Sequence, residues 1–186
     1  LWQDILVYFH HSRLPADVRA FALSITSLSK TMNSNPLKDL GTALGVGLLA
    51  GLAGTAAITL SQMIEMKITK RESSDAPAKA VSKVLYVKPA NKEKKPVVNQ
   101  EIHWVYGTSW GISRGLMSLT GVTGLPATLA HFVAIWGTEL LMMPGLDLAP
   151  PVTEQKPKSV AIDAMHHAVY ALAAGAAFDA IMDWDN

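Results

Sequence analysis

Residues 41–64 form a run of 24 residues with neither a charged side chain nor a histidine, and no other feature limits the fold as much. At about 1.5 Å of rise per residue, a helix of that length exceeds the roughly 30 Å hydrocarbon core of a bilayer. In lipid every backbone polar group must bond internally, so such a run spans as a helix. Composition agrees. The chain is 49% apolar and 17% charged, against about 25% charged in ordinary soluble domains, and its mean hydropathy is +0.22. A formal net charge of +1 speaks against a nucleic-acid partner. The chain has no cysteine, which excludes disulfides, zinc–thiolate sites, thiol catalysis and c-type haem attachment. No basic stretch precedes an apolar core near Leu1, so no signal peptide is expected.

Three weaker apolar runs follow. Residues 102–122 contain Arg114, residues 125–143 contain His131 and Glu139, and residues 160–182 begin near Asp163 and end near Asp179. Only a short uncharged turn around Gly121-Val122-Thr123-Gly124 separates the second run from the third, which predicts antiparallel neighbours. Residues 1–39 are amphipathic: Leu14, Val18, Phe21, Ala22, Ile25, Leu28 and Met32 recur at helical spacing. This segment is expected to lie on the membrane or on a partner, or to pack on its own helices. The predicted organisation is thus an amphipathic segment, 1–39, and a four-span membrane domain, 40–186, with a basic linker at 67–100. The linker 67–100 holds nine Lys and Arg and the Pro-rich loop 144–159 two, against four in residues 1–39. The positive-inside rule places both linkers in the cytoplasm and both termini outside.

The chain also carries a duplication. Gly51-Leu52-Ala53-Gly54-Thr55 is echoed by Gly124-Leu125-Pro126-Ala127-Thr128, and His103-Trp104-Val105-Tyr106-Gly107 by His167-Ala168-Val169-Tyr170-Ala171. The alternating order predicts two tandem helical hairpins about a pseudo-twofold axis, an all-α four-helix membrane bundle. A shift of 64 residues carries His103, Tyr106, Gly107 and Gly111 onto His167, Tyr170, Ala171 and Gly175. Gly107, Gly111 and Gly115 recur every four residues on one helix face, the small-residue pattern that lets helices approach closely in lipid. With Gly175 they predict a tight core in which spans 2 and 4 cross near the axis.

Four stretches carry a resemblance: Gly47 to Thr55 (GLLAGLAGT), His103 to Gly107 (HWVYG), Trp136 to Pro151 (WGTELLMMPGLDLAPP) and His166 to Ala171 (HHAVYA). Together they resemble the YagU-like family of small bacterial inner-membrane proteins over residues 41–182. Ala171 stands where that family more often has glycine. The resemblance implies a multi-span protein of the bacterial inner membrane and brings no catalytic residue. The N-terminal segment and the Lys-rich linker look like additions of a docking kind.

Ionisable groups within spans are costly, about 2.5–3.5 kcal/mol each on insertion scales, so they face inward and find partners. Arg114, His131, Glu139, His166, His167 and Asp179 are such groups, with Glu65 and His103 at span ends. Glu65, His103, Glu139 and His167 are expected at one level, as a metal site or as hydrogen-bonded pairs that pin helices. No Glu-x-x-His pattern of di-iron bundles occurs. His103 with His167, or His131 alone, would suit a haem or pigment. Arg114 and Glu139 are expected to pair across the short hairpin, structurally or along a polar path. No soluble-enzyme motif is present. The expected role is therefore non-catalytic: an accessory or scaffold subunit packed against lipid and other membrane subunits, or a homo-oligomer. A small transport or proton-handling protein using Arg114, Glu139 and the histidines is the alternative, and a carrier of haem, pigment or metal the third reading.

Overall fold

The computed structural model describes residues 35–71, 76–85 and 95–184. The amphipathic helix expected within 1–39 lies, but for its last residues, outside them. Helices α1 (Pro36–Thr69), α2 (Ala76–Leu85), α3 (Lys95–Ser118), α4 (Gly124–Gly145) and α5 (Pro157–Trp184) follow one another, with a 3-10 turn at Val152–Glu154. There is no strand among the described residues. The chain divides into two units, Leu1–Asp39 and Leu40–Asn186.

Local chemistry sets the helix ends. Pro36 opens α1, where its missing N–H and fixed φ are harmless. Asn35 caps that end, its Oδ1 accepting from the N–H groups of Leu37 at 3.1 Å and Lys38 at 3.3 Å. Lys70, at φ 57°, turns left-handed and stops the helix. At the far end of α4, Asp147 does the same at φ 50°, and Leu148 N–H bonds the Met143 carbonyl at 2.9 Å. Part of the basic linker is helical. It contains α2, while α1 runs on to Thr69 and α3 starts at Lys95. Helical hydrogen bonding continues past the last apolar residue wherever no breaker intervenes.

Side-chain contacts fix the directions of the four long helices. Along α1 and α3, Gly47 lies on Gly111 and Thr55 on Gly107, so the two run antiparallel. Along α4 and α5, Thr128 lies on Gly175 and Glu139 on His167, again antiparallel. His131 reaches back to the Trp110 carbonyl, which makes α3 and α4 the expected antiparallel neighbours. Tyr170 meets Gly107 and Asp179 meets Arg114, so α3 and α5 run parallel. Hence the ends of α1 and α4 and the starts of α3 and α5 share one level.

The glycine stripe of α3 serves a different neighbour from the one predicted. A Cβ on Gly111 would lie 2.6 Å from the Gly51 Cα, and Gly115 sits on the Ala43 carbonyl. Gly111 and Gly115 thus bring α3 into backbone contact with α1, Gly107 seats the Thr55 side chain, and Gly175 brings α5 against α4. Between α3 and α5 the contacts are larger. The Tyr170 hydroxyl donates to the Gly107 carbonyl at 2.7 Å, and the Arg114 guanidinium lies 4.2 Å from the Phe178 ring centre. Each threonine of the two similar segments also donates to the carbonyl four residues back, Thr55 to Gly51 and Thr128 to Gly124. The glycines beneath them, Gly107 and Gly175, are separated by 175 − 107 = 68 residues rather than 64, one helical turn along from the sequence alignment.

The core mixes large and small residues: Val46, Ile58, Ile135, Met143, Tyr170 and Phe178 are buried. Ala43, Ala50, Ala127, Ala171 and Ala174 are buried, together with Thr55, Arg114, His131 and His166. Leu49, Leu60, Val105, Leu125, Leu129, Val133, Leu141 and Leu172 point outward. Among the described residues two helices, α1 and α4, are long and apolar enough to cross a membrane.

Candidate functional site

A cavity of about 490 Å³ opens between the long helices at the linker end, bordered also by Leu148, Ala149 and Gln155 of the loop before α5. Its charged and imidazole lining comes from Glu139 of α4, Asp163, His166 and His167 of α5, His103 of α3 and Arg71 after α1. Asp163 and His167 sit one turn apart on α5 and share a face, and Glu139 comes from the last turns of the antiparallel α4.

The hydrogen bonds fix the state of His167. Its Nδ1 lies 2.9 Å from the backbone carbonyl of Asp163, which only accepts, so Nδ1 carries a hydrogen. Its Nε2 faces Glu139 Oε2 at 2.7 Å. Two lone pairs that close require a positive centre between them, and a shared proton supplies it. Asp163 is held separately: Trp136 donates its indole N–H to Oδ2 at 2.9 Å, and the indole stacks on Phe132 at 5.5 Å. Glu139, Asp163 and His167 each present a ligand atom, and these atoms lie within 4.8 Å of one another. All three side chains are partly exposed to the cavity.

The quartet expected from the sequence resolves into separate partnerships. Glu139 and His167 do pair. Glu65 turns instead to Arg71, whose Nη2 donates to Oε2 at 2.8 Å, and to Thr69, which donates to Oε1 at 2.9 Å. Behind it His166 Nε2 stands 3.9 Å from Glu65 Oε2 while Nδ1 meets Ser61 Oγ at 2.8 Å. His103 Nε2 lies 2.9 Å from Thr59 Oγ1. That hydroxyl spends its only hydrogen on the Thr55 carbonyl at 2.6 Å, so His103 Nε2 must be the donor. With Nε2 donating, the neutral ring keeps its lone pair on Nδ1. His131, fully buried, donates from Nε2 to the Trp110 carbonyl at 3.0 Å and packs edge-on to Tyr170; it does not border the cavity.

The expected pair of Arg114 with Glu139 does not form. Arg114 binds Asp179 of α5, at the opposite end of the helices from the cavity. With Trp110 beside His131, the antiparallel register puts Arg114 near Ala127, and Glu139 lies about 18 Å further along α4. Sharing a hairpin brought the two helices together but not the two depths.

Asp163 and Trp136 complete the site; in the sequence one lies at the start of the last apolar run and the other in a resemblance stretch, and neither carries an expected role in the site. The signal for Asp163 was available: Asp163-x-x-x-His167 sets a carboxylate and an imidazole on one helical face. Nothing in the sequence distinguishes Trp136 from an indole at a membrane interface. No protein-family model, curated protein or solved structure matches the chain.

Proposed function

We propose that this chain is a small non-catalytic multi-span protein of the bacterial inner membrane that takes up and handles a cation in the cavity between its helices. In this reading α1, α3, α4 and α5 all cross the bilayer as two tandem hairpins, the linkers face the cytoplasm, and the cavity opens on that side. The convergence of Glu139, Asp163 and His167 on one cavity, inside helices whose outer faces are aliphatic, carries the reading. Carboxylates and imidazoles attract cations, and at bilayer depth such groups mark ion pathways. Glycines at the closest helix contacts, with many Leu and Val outward, suit packing in lipid. The YagU-like resemblance points to the same kind of membrane.

The test is reconstitution. Proteoliposomes holding the wild-type chain should show cation flux above protein-free vesicles, and Glu139→Gln should remove most of it. Equal flux with and without protein, across monovalent and divalent cations and protons, would overturn the proposal.

An accessory or scaffold subunit, packed in a larger membrane complex or as a homo-oligomer, is the second reading. One observation favours it: only 22% of the best apolar window of α4 is buried, against 44% for α1. Leu125, Leu129, Val133 and Leu141 thus offer a long apolar face to lipid or to another subunit. Migration with a large complex after gentle detergent extraction would support it; migration as the isolated chain would not.

A further inference from the structure

The donor set at the cavity narrows the cation it would hold. Two carboxylates and one imidazole form a mixed oxygen and nitrogen set. Mg²⁺ and Ca²⁺ prefer oxygen alone, and soft Cu⁺ prefers thiolates, which this cysteine-free chain lacks. Such a mixture suits first-row divalent ions.

The residues behind the donors are arranged as supports for metal ligands. The Asp163 carbonyl takes the Nδ1 hydrogen of His167 at 2.9 Å, fixing the tautomer that leaves the Nε2 lone pair for a cation. Trp136 N–H holds Asp163 through Oδ2 at 2.9 Å. Little movement is required. Nε2 and Glu139 Oε2 are 2.7 Å apart, whereas two donors about 2.0–2.2 Å from a tetrahedral metal lie about 3.4 Å apart. Charge points the same way. Two carboxylates with a neutral imidazole carry two negative charges, so a divalent ion makes the cluster neutral, the state that low-dielectric surroundings favour.

We propose that Glu139, Asp163 and His167 bind a first-row divalent transition-metal ion, with water from the cavity completing its coordination. The ion takes the place of the proton shared by Glu139 and His167. This assignment rests on the reading of the cavity as a cation site and names the class of cation.

Full-length chain purified in detergent and stripped with chelator would be titrated with Co²⁺, followed by its visible absorption, and then challenged with Zn²⁺. The expected result is a saturable spectrum at one equivalent, displaced by Zn²⁺ and not by excess Mg²⁺ or Ca²⁺. Glu139→Gln and His167→Ala should weaken Co²⁺ binding at least about tenfold, and Trp136→Phe, which keeps every ligand, should weaken it about tenfold. Glu65→Gln should leave it unchanged. Elution of each variant at the wild-type position on size exclusion excludes misfolding as the cause. Absence of saturable Co²⁺ binding, equal competition by Mg²⁺, or sensitivity to Glu65→Gln with indifference to Glu139→Gln would each overturn the assignment. Flux measured on the same preparations separates the two proposals. Metal binding without any cation flux leaves the site standing and removes the handling reading, and flux of protons or monovalent cations without Co²⁺ binding does the reverse.

Discussion

His167 Nε2 stands 2.7 Å from Glu139 Oε2 while its Nδ1 is tied to the Asp163 carbonyl. One side chain therefore joins α4 to α5 and leaves a carboxylate–imidazole pair that must share a cation. Replacing Glu139 by Gln removes the negative partner but keeps the shape. A hydrogen bond to a charged group contributes about 1.5–3 kcal/mol when well sheltered, and the 31% exposure of the Glu139 side chain reduces that. Glu139→Gln is expected to lower stability by about 1 kcal/mol, measured by thermal unfolding in detergent.

Arg114 is fully buried and has Asp179 as its ion-pair partner. Asp179→Ala would leave that guanidinium without its counter-charge. Breaking a buried pair costs about 3–5 kcal/mol. The carboxylate is 37% exposed, so water replaces part of the loss, and about 1–3 kcal/mol is expected here. Thermal unfolding of Asp179→Ala and of an Arg114→Met, Asp179→Ala double variant checks this. The double variant should recover much of the loss.

The glycine stripe makes an asymmetric prediction. Gly111 meets the backbone of Gly47 and Gly51, whereas nothing lies within 4 Å of a Cβ added at Gly45. Gly111→Ala must push α1 and α3 apart, and overpacking of that kind costs about 1–3 kcal/mol. Gly45→Ala should be neutral or slightly stabilising. Their melting temperatures in one detergent decide the matter.

Tyr170 donates to the Gly107 carbonyl at 2.7 Å, a carbonyl inside α3. Tyr170→Phe keeps the ring in its buried place and loses only that bond. The expected cost is about 1 kcal/mol, with size-exclusion behaviour unchanged.

The helical content and the long helices were legible because uncharged runs and glycine spacing are local signals. The α3–α4 hairpin could be read at its short turn, but the start of α1 at Pro36 fell within the segment read as a separate amphipathic one. Depth was not legible. Arg114 and Glu139 lie in adjacent helices, but the register set by Trp110 and His131 separates them along the axis. The partner of the Gly107, Gly111, Gly115 stripe was misread for a related reason: a small-residue face says that something comes close, not which helix does. His103 and His167 were aligned by the expected duplication, yet Thr59 faces one and Glu139 the other. Their chemistry differs because the residues opposite do.

The account depends most on four crossings of the bilayer, which bring the cavity, Lys156 and the linkers to one side and the turn between α3 and α4 to the other. The absence of cysteine makes this directly measurable with single-cysteine variants at exposed Thr120 and exposed Lys156, labelled in intact cells with a membrane-impermeant maleimide. Labelling of Thr120→Cys from outside, with Lys156→Cys reacting only after permeabilisation, is the predicted result. Equal labelling of both positions from one side, or recovery of the chain in the soluble fraction, would contradict it.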